Sequence, residues 1–466
     1  MHENDDEFLS DHTIAMRKAV SVCQSLLADS NKEEKGTTSA STMLSSIQSK
    51  KLQLDPTAIE KGKLLNLHHT REKALEEWKN LSFETLHTKD LKSVWEFRQK
   101  FHQSNRPCRI EGLTDDASFG RVQKLWGTPE QMRQFVKGIS PPGNVAWLPV
   151  RRRRQSTAMD GTLDPDGRAT ECDTVKMTVQ EWISYLEETT HNHAALGDKY
   201  YLKDWHLESW LLEKNLLPVV HKSASLYQVP EVFQNDLLNP FLQAFTKGDY
   251  CFVYWGPAGS QTLWHSDVLH SFSWSYNVFG SKEWTFIHPR TNDHFKILQK
   301  PGECIFVPAK WKHQVVNLEE TLSINRNWIT VANLDLCWEC LETEIKSIEE
   351  ELDAWIAAGS SYDWESRESM LRGCVGLDVT AFYLMIIYRV AVLNNSTELK
   401  ELMTDQIMKE DASFEIYRCA DMIRRLFCND TIQIQERLSA TLGSVDIARD
   451  ALNLGMKVSQ TILDSS

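Results

Sequence analysis

The chain has 466 residues, 41% of them apolar, with 51 Lys and Arg against 65 Asp and Glu, a net charge of −14. That length exceeds one ordinary core and suggests a main domain of about 250 residues with appendages. The acidic average field disfavours direct, non-specific binding to nucleic acid.

Residues 1–65 read as a polar, partly disordered N-terminal segment. It begins MHENDDEF, without the basic flank and apolar stretch of a signal peptide. Asp11 to Leu27 places Ala15, Ala19, Val22 and Leu26 on one helical face. Asn31 to Lys51, rich in Ser, Thr, Lys and Glu, reads as a linker.

Residues 66–248 read as an α/β flank. A helix is expected over Thr88–Phe101 with Thr88 as its cap, then a strand and turn over Pro107–Leu113. Arg151 to Arg154 and the polar stretch to Cys172 read as a surface loop, which serves nuclear import, an acidic ligand, or solvation alone. Thr178 and Glu181 have capping-box spacing and open a helix to Leu186. His191 and His193 read as loop residues.

Over 249–332 short strands are expected at Cys251–Trp255, Phe272–Val278, Glu283–Ile287, Glu303–Val307 and Thr321–Thr330. Turns separate them at Gly256-Pro257, Gly280-Ser281, Pro289 and Pro301-Gly302. Many short strands at close spacing indicate a jelly-roll or barrel. Over 333–466 the period becomes helical. Leu341, Ile345, Ile348, Leu352 and Trp355 mark a long helix ended by Gly359. Ala381 to Leu393 is apolar but short for a bilayer and interrupted by Arg389, so it reads as a buried helix and no membrane association is expected. Cys337 and Cys340 form a lone Cys-x-x-Cys without a second pair at zinc-site spacing. The ten scattered cysteines favour a reducing cytoplasm, or the nucleus.

The chemistry concentrates at Trp264-His265-Ser266-Asp267. On an extended chain residues i and i+2 face the same side, so His265 and Asp267 both reach one cavity. His313 follows Ile305-Phe306-Val307-Pro308 and a turn through Trp311, and is the candidate third ligand. Two imidazoles and one carboxylate on one face leave the other open, as non-haem Fe(II) oxygenases require. A bare His-x-Asp is also common in surface loops; the all-β context raises this one above them. Lys282, inside a strand between Trp284 and the Gly280 turn, is either a solvated turn lysine or the cation for a carboxylate co-substrate. Thr262 offers a hydroxyl nearby. Ser323, Asn325 and Asn327 form one polar face of a strand, which meets either solvent or a wet site. Trp205, Trp255, Trp264 and Trp311 either pack a substrate stem or belong to the core.

These strings, with Tyr201-Leu202-Lys203-Asp204-Trp205-His206, Gly256 to Ser260, Ser271 to Ser275 and Ser323-Ile324-Asn325, resemble the JmjC oxygenases over roughly residues 85–345, and within them a lysyl hydroxylase type. The resemblance implies an α+β fold. Its centre would be a double-stranded β-helix (jelly-roll, cupin-like) core, with N-terminal helices and a C-terminal helical region. It implies Fe(II) on His265, Asp267 and His313, O2 as oxidant, and 2-oxoglutarate held by Lys282 and flanked by Thr262, Asn325, Asn327 and Tyr201. It implies a lysine-containing protein substrate, for which the eukaryotic translation termination factor is the candidate, and a homodimer through the C-terminal helices. The Arg151–Arg154 loop and a short connection from Pro289 to Pro301 depart from the family pattern. A histone or protein lysine demethylase, and a non-catalytic JmjC binding module, are the alternatives.

Overall fold

The computed structural model describes residues 9–29, 66–78, 83–91, 93–114, 119–139, 147–153, 173–191, 199–214, 216, 226–357, 361, 363–395, 406–428 and 433–463. Thirteen strands lie among them: β1 (Glu84–His87), β2 (Cys108–Glu111), β3 (Trp147–Arg153), β4 (Asp173–Thr178), β5 (Lys199–Trp205), β6 (Cys251–Gly256), β7 (Gln261–His265), β8 (Phe272–Phe279), β9 (Lys282–Ile287), β10 (His294–Gln299), β11 (Cys304–Val307), β12 (His313–Asn317) and β13 (Thr321–Trp328). The last eight are divided between two sheets. One carries the order β11-β8-β13-β6 and the other β10-β9-β12-β7. Every pairing within these two runs is antiparallel. This is the jelly-roll double-stranded β-helix of an α+β fold. The first sheet is extended at both edges. β2 and β1 continue it beyond β11, and β5, β3 and β4 continue it beyond β6, to nine strands.

Alternation explains why these segments pair. In β10, Phe295, Ile297 and Gln299 are buried while His294, Lys296 and Leu298 are exposed. Phe295 and Ile297 join Trp284 and Phe286 of β9, Ile305 and Val307 of β11, Val315 of β12, and Trp78 and Trp311 in one apolar cluster. The connection from Pro289 to Pro301 therefore contains a whole core strand. At the β8–β9 turn Gly280 has φ +75°, and a Cβ there would lie 2.2 Å from the Glu320 carbonyl, so only glycine fits.

Contacts divide the chain into two compact units: Met1–His68 with Asp236–Gly248 and Ile329–Ser466, and His69–Asn235 with Asp249–Trp328. Each is assembled from separated stretches, where the sequence reading ran through four consecutive segments. The first unit is helical. Its central helix, Val379–Asn395, is buried along most of its length. Arg389, the interruption noted above, is neutralised there by Glu415 through two bonds of 2.6 and 3.0 Å. The helix Asp11–Asp29 is tied to this unit by His12 on Asp378 and by Arg17 on the Leu442 carbonyl, both at 2.7 Å. No single helix among the described residues is long and apolar enough to cross a membrane.

Several local expectations change. Thr88 does not cap a helix to Phe101. Thr88–Asp90 is a 3₁₀ turn, and an α-helical turn, Val94–Phe97, starts afresh where the Ser93 hydroxyl accepts from the Glu96 N–H. A π-helical turn, Arg98–Gln103, follows and brings Phe97, Phe101 and His102 all inward. Arg151 to Arg153 lie in β3, not in a loop: Arg151 and Arg152 pair with both β4 and β5, and Arg153 with β5. Arg154 and the stretch to Cys172 fall outside the described residues, as do the 31–51 linker, His193 and Gly359. His191 is the last residue of the helix Val179–His191, not a loop residue. Cys337 and Cys340 sit on the first turns of the helix Leu334–Ala357 and join no cluster of metal donors among the described residues.

Candidate metal and co-substrate site

The two sheets bring all eight sequence-predicted site residues to one cavity of about 440 Å³, counted to its open mouth. Tyr201, Thr262, His265, Asp267, Lys282, His313, Asn325 and Asn327 line it.

At the mouth, His265 ends β7 and His313 opens β12, and the two are register partners. Their ring centroids are 4.3 Å apart. Asp267, extended at φ −63° and ψ 144°, leaves β7 with its Oδ1 3.9 Å from His265 Nε2. The donor atoms of the three residues lie within 4.8 Å of one another. His265 Nδ1 bonds to the Leu263 carbonyl at 2.8 Å, and His313 Nδ1 to the Trp311 carbonyl at 3.0 Å. A carbonyl only accepts, so each Nδ1 carries a proton, and in the neutral imidazole Nε2 is the nitrogen with the lone pair. Burial, then the neighbouring His313, hold His265 down to about 4 against the opposing pull of Asp267. The Ser273 hydroxyl donates to Asp267 Oδ2 at 2.6 Å and leaves Oδ1 for the cavity. Two neutral imidazole nitrogens and one carboxylate oxygen form a set suited to a divalent first-row metal such as Fe(II).

Lys282 lies at the closed end, 2% exposed. β9 pairs Phe286 with His313 and Lys282 with Asn317. Lys282 is therefore four residues, or about 13 Å of strand, from the level of His313. A small dicarboxylate and a lysine side chain together fill that gap. The Lys282 Nζ donates to the Ser323 hydroxyl at 2.5 Å, which also accepts from Asn325 at 3.0 Å. Burial, then the charge of Lys203, push Lys282 down to about 7. Asn327 donates to the Ser271 hydroxyl at 3.1 Å. Tyr201 reaches the same end from β5. Its ring packs so close to Gly256 that a Cβ there would meet it at 2.5 Å.

The polar face of β13 thus meets the cavity, not bulk solvent. Trp205, Trp255 and Trp311 are core residues. Trp274 and Trp284 line the cavity instead. Sequence reasoning missed Tyr254, Ser273 and Ser275. The alternation of Ser271, Ser273 and Ser275 with Phe272 and Trp274 along β8 was the available signal for the serines, and position i−2 from Gly256 on β6 for Tyr254.

A family model described as "JmjC domain, hydroxylase" matches residues 293–328. Curated relatives match more of the chain. It is 31% identical to the "2-oxoglutarate and iron-dependent oxygenase JMJD4" of Homo sapiens over 378 residues, 73% of this chain and 84% of the relative. The Danio rerio protein of the same name is 30% identical over 299 residues, 54% and 68% of the two chains. "Arginine-specific demethylase JMJ20" of Arabidopsis thaliana is 30% identical over 316 residues, 58% and 62%.

Proposed function

The chain belongs to the JmjC family of 2-oxoglutarate- and iron-dependent oxygenases, and we propose that within it the protein hydroxylates a lysine side chain of a protein substrate, with the eukaryotic translation termination factor as the candidate. His265, Asp267 and His313 are the Fe(II) ligands in this reading. The observation that carries it is their convergence, with both Nε2 lone pairs and Asp267 Oδ1 free toward a cavity that ends on a buried lysine. With Fe(II) bound, 2-oxoglutarate and O2 are converted to succinate and carbon dioxide, and one oxygen atom enters a substrate C–H bond.

The residues supply binding and orientation. Lys282 takes the distal carboxylate of 2-oxoglutarate as a charge-assisted partner, with Thr262 and Tyr201 beside it and Asn325 and Asn327 along the wall. Ser273 holds Asp267 in place. Trp284, 5% exposed and stacked on His313 at 5.6 Å, keeps water from the inner side of the metal site. No residue of the site is assigned as a general base. The described cysteines are all free thiols, which supports a reducing cytoplasmic or nuclear setting.

A second reading, protein arginine demethylation, is favoured by the likeness to the Arabidopsis protein named for that activity. The full chain with Fe(II), 2-oxoglutarate and the termination factor, followed by peptide mass spectrometry, separates the two. A gained oxygen on a lysine, absent with Asp267→Ala, supports hydroxylation. Loss of a methyl group from methylarginine peptides, with no oxygen gained on lysine, overturns it.

A further inference from the structure

The two imidazoles at the cavity mouth are oriented by carbonyls of different standing. The one that accepts from His265 Nδ1 belongs to Leu263, inside β7, a strand paired with β12. The one that accepts from His313 Nδ1 belongs to Trp311, in the turn 308–312 between β11 and β12. That turn holds Lys310 at φ +66°, a left-handed conformation that lysine rarely adopts and that persists only where the surroundings fix it. Asn105 supplies the fixing, from 204 residues away in the chain. Its Nδ2 donates to the Ala309 carbonyl at 2.9 Å, and its Oδ1 accepts from the Ala309 N–H at 3.0 Å. Its own carbonyl accepts from the Trp311 indole Nε1 at 2.9 Å. The residues before and after Lys310, both fully buried, are thus tied to one asparagine.

The geometry points to Asn105 as the positioning residue for His313, acting through the turn that carries the Trp311 carbonyl. This rests on the reading of His265, Asp267 and His313 as the metal ligands. Asparagine suits the position on two counts. Asn105 is itself left-handed at φ +53°, just after the π-helical turn Arg98–Gln103, and asparagine is among the few side chains that tolerate that conformation. Its amide also carries a donor and an acceptor together, which the two backbone groups of Ala309 require; aspartate supplies only the acceptor, and glycine neither. The consequence falls on the ring of His313. Packing against Trp284 at 5.6 Å and Phe286 at 5.5 Å restrains its tilt, but only the Trp311 carbonyl selects Nδ1 as the protonated nitrogen. β12 is held separately, by its pairing with β9 and β7 and by the Ile287 N–H on the Lys312 carbonyl at 2.9 Å. Releasing the Asn105 clamp therefore loosens the turn and the orientation of one ligand while the strand that bears it stays paired.

The test is a titration of the full chain with Mn(II), followed by electron paramagnetic resonance, with the imidazole nitrogens coupled to bound Mn(II) counted by electron spin echo modulation. Asn105→Gly keeps the left-handed backbone and the carbonyl on Trp311 but removes the amide. It is expected to raise the Kd for Mn(II) about tenfold and to weaken the coupling of one of the two imidazoles. Asn105→Asp is expected to do the same, since its carboxylate meets the Ala309 carbonyl without a donor, and it carries the test should the glycine variant fail to fold. Phe101→Leu serves as the control. It loosens the same segment, where Phe101 packs on Phe97 at 5.1 Å, without touching the turn. It is expected to lower Tm and leave Mn(II) affinity and both couplings as in wild type. Unchanged affinity and couplings in the Asn105 variants overturn the assignment. So does equal weakening by Phe101→Leu, which would mark the segment as a general support of the fold. A wild-type affinity that His313→Ala leaves unchanged overturns the metal site itself, and is distinguishable from the failure of Asn105 alone.

Discussion

Binding of 2-oxoglutarate should take up a proton above neutral pH, and the structure sets the size of the effect. Lys282 is buried, its Nζ is bonded to the neutral Ser323 hydroxyl, and burial with the Lys203 charge brings it down to about 7. A dicarboxylate seated against it restores the charged form. With a free-site value near 7, roughly half of the Lys282 side chains are neutral at pH 7 and about nine-tenths at pH 8. Binding at pH 8 then takes up about 0.9 proton per ligand, and the apparent affinity falls about fivefold from pH 7 to 8 and about tenfold from 8 to 9. His265, held near 4, does not titrate in this window, and burial pushes Tyr201 far above it. The same lysine affects stability with a definite sign. Its folded-state value lies below its unfolded one, so between about pH 7 and 10 the unfolded chain holds a proton that the folded chain lacks. Lys282 therefore adds stability to the ligand-free chain as pH rises through that range, and below pH 7 the cost of burying its charge stands in full. Calorimetric titration with 2-oxoglutarate and Mn(II), in two buffers of different ionisation enthalpy, reads the proton uptake directly. Lys282→Arg, which stays charged, should flatten the pH profile. Constant affinity from pH 7 to 9 with no buffer dependence would refute the reasoning, because it would mean that Lys282 does not meet the ligand or is charged without it.

Ser273→Ala removes the bond that fixes Asp267 Oδ2; Mn(II) affinity measured by electron paramagnetic resonance should weaken about 10- to 100-fold with the fold intact, and an unchanged affinity would mean that Asp267 needs no such support. In the helical unit, Arg437 is 2% exposed and pairs with the equally buried Glu368, with Trp364 stacked on its guanidinium. Arg437→Met should lower stability by about 3–5 kcal/mol in chemical denaturation, because Glu368 is left as an uncompensated buried acid; a loss below about 1 kcal/mol would show that the pair contributes little.

Legibility in the sequence follows how local each feature is. The five expected strands over 249–332 correspond to β6, β8, β9, β11 and β13, each a short run bounded by turn residues. β7, β10 and β12 are not among the five. β10 hides between two prolines, and its six residues show their alternation only once Phe295 and Ile297 have a core to face. Arg151 to Arg153 read as a loop on composition, yet β3 is an interior strand of the extended sheet. Hydrogen bonding to two neighbours decides there, and no residue preference inside the segment reveals it.

The two ends of the cavity differ in the same way. The metal end is nearly local. His265 and Asp267 are two residues apart, and each imidazole is oriented by the carbonyl two residues before it, Leu263 for His265 and Trp311 for His313. The fold has to supply the pairing of β7 with β12 and the bonds of Asn105 to the turn before His313. The end proposed for the co-substrate is assembled from β5, β6, β7, β9 and β13, each contributing one or two polar side chains whose direction depends on register. Lys282, Ser323 and Asn325 can be picked out as polar residues in apolar strands, but what they face cannot. The β5 bulge is the limiting case. Lys203 and Asp204 look like opposite-facing neighbours, and both reach Tyr254 only because three steps of β5 are paired against two of β6. A one-residue change of register there would turn Lys203 away from Tyr254 while leaving His265, Asp267 and His313 in place.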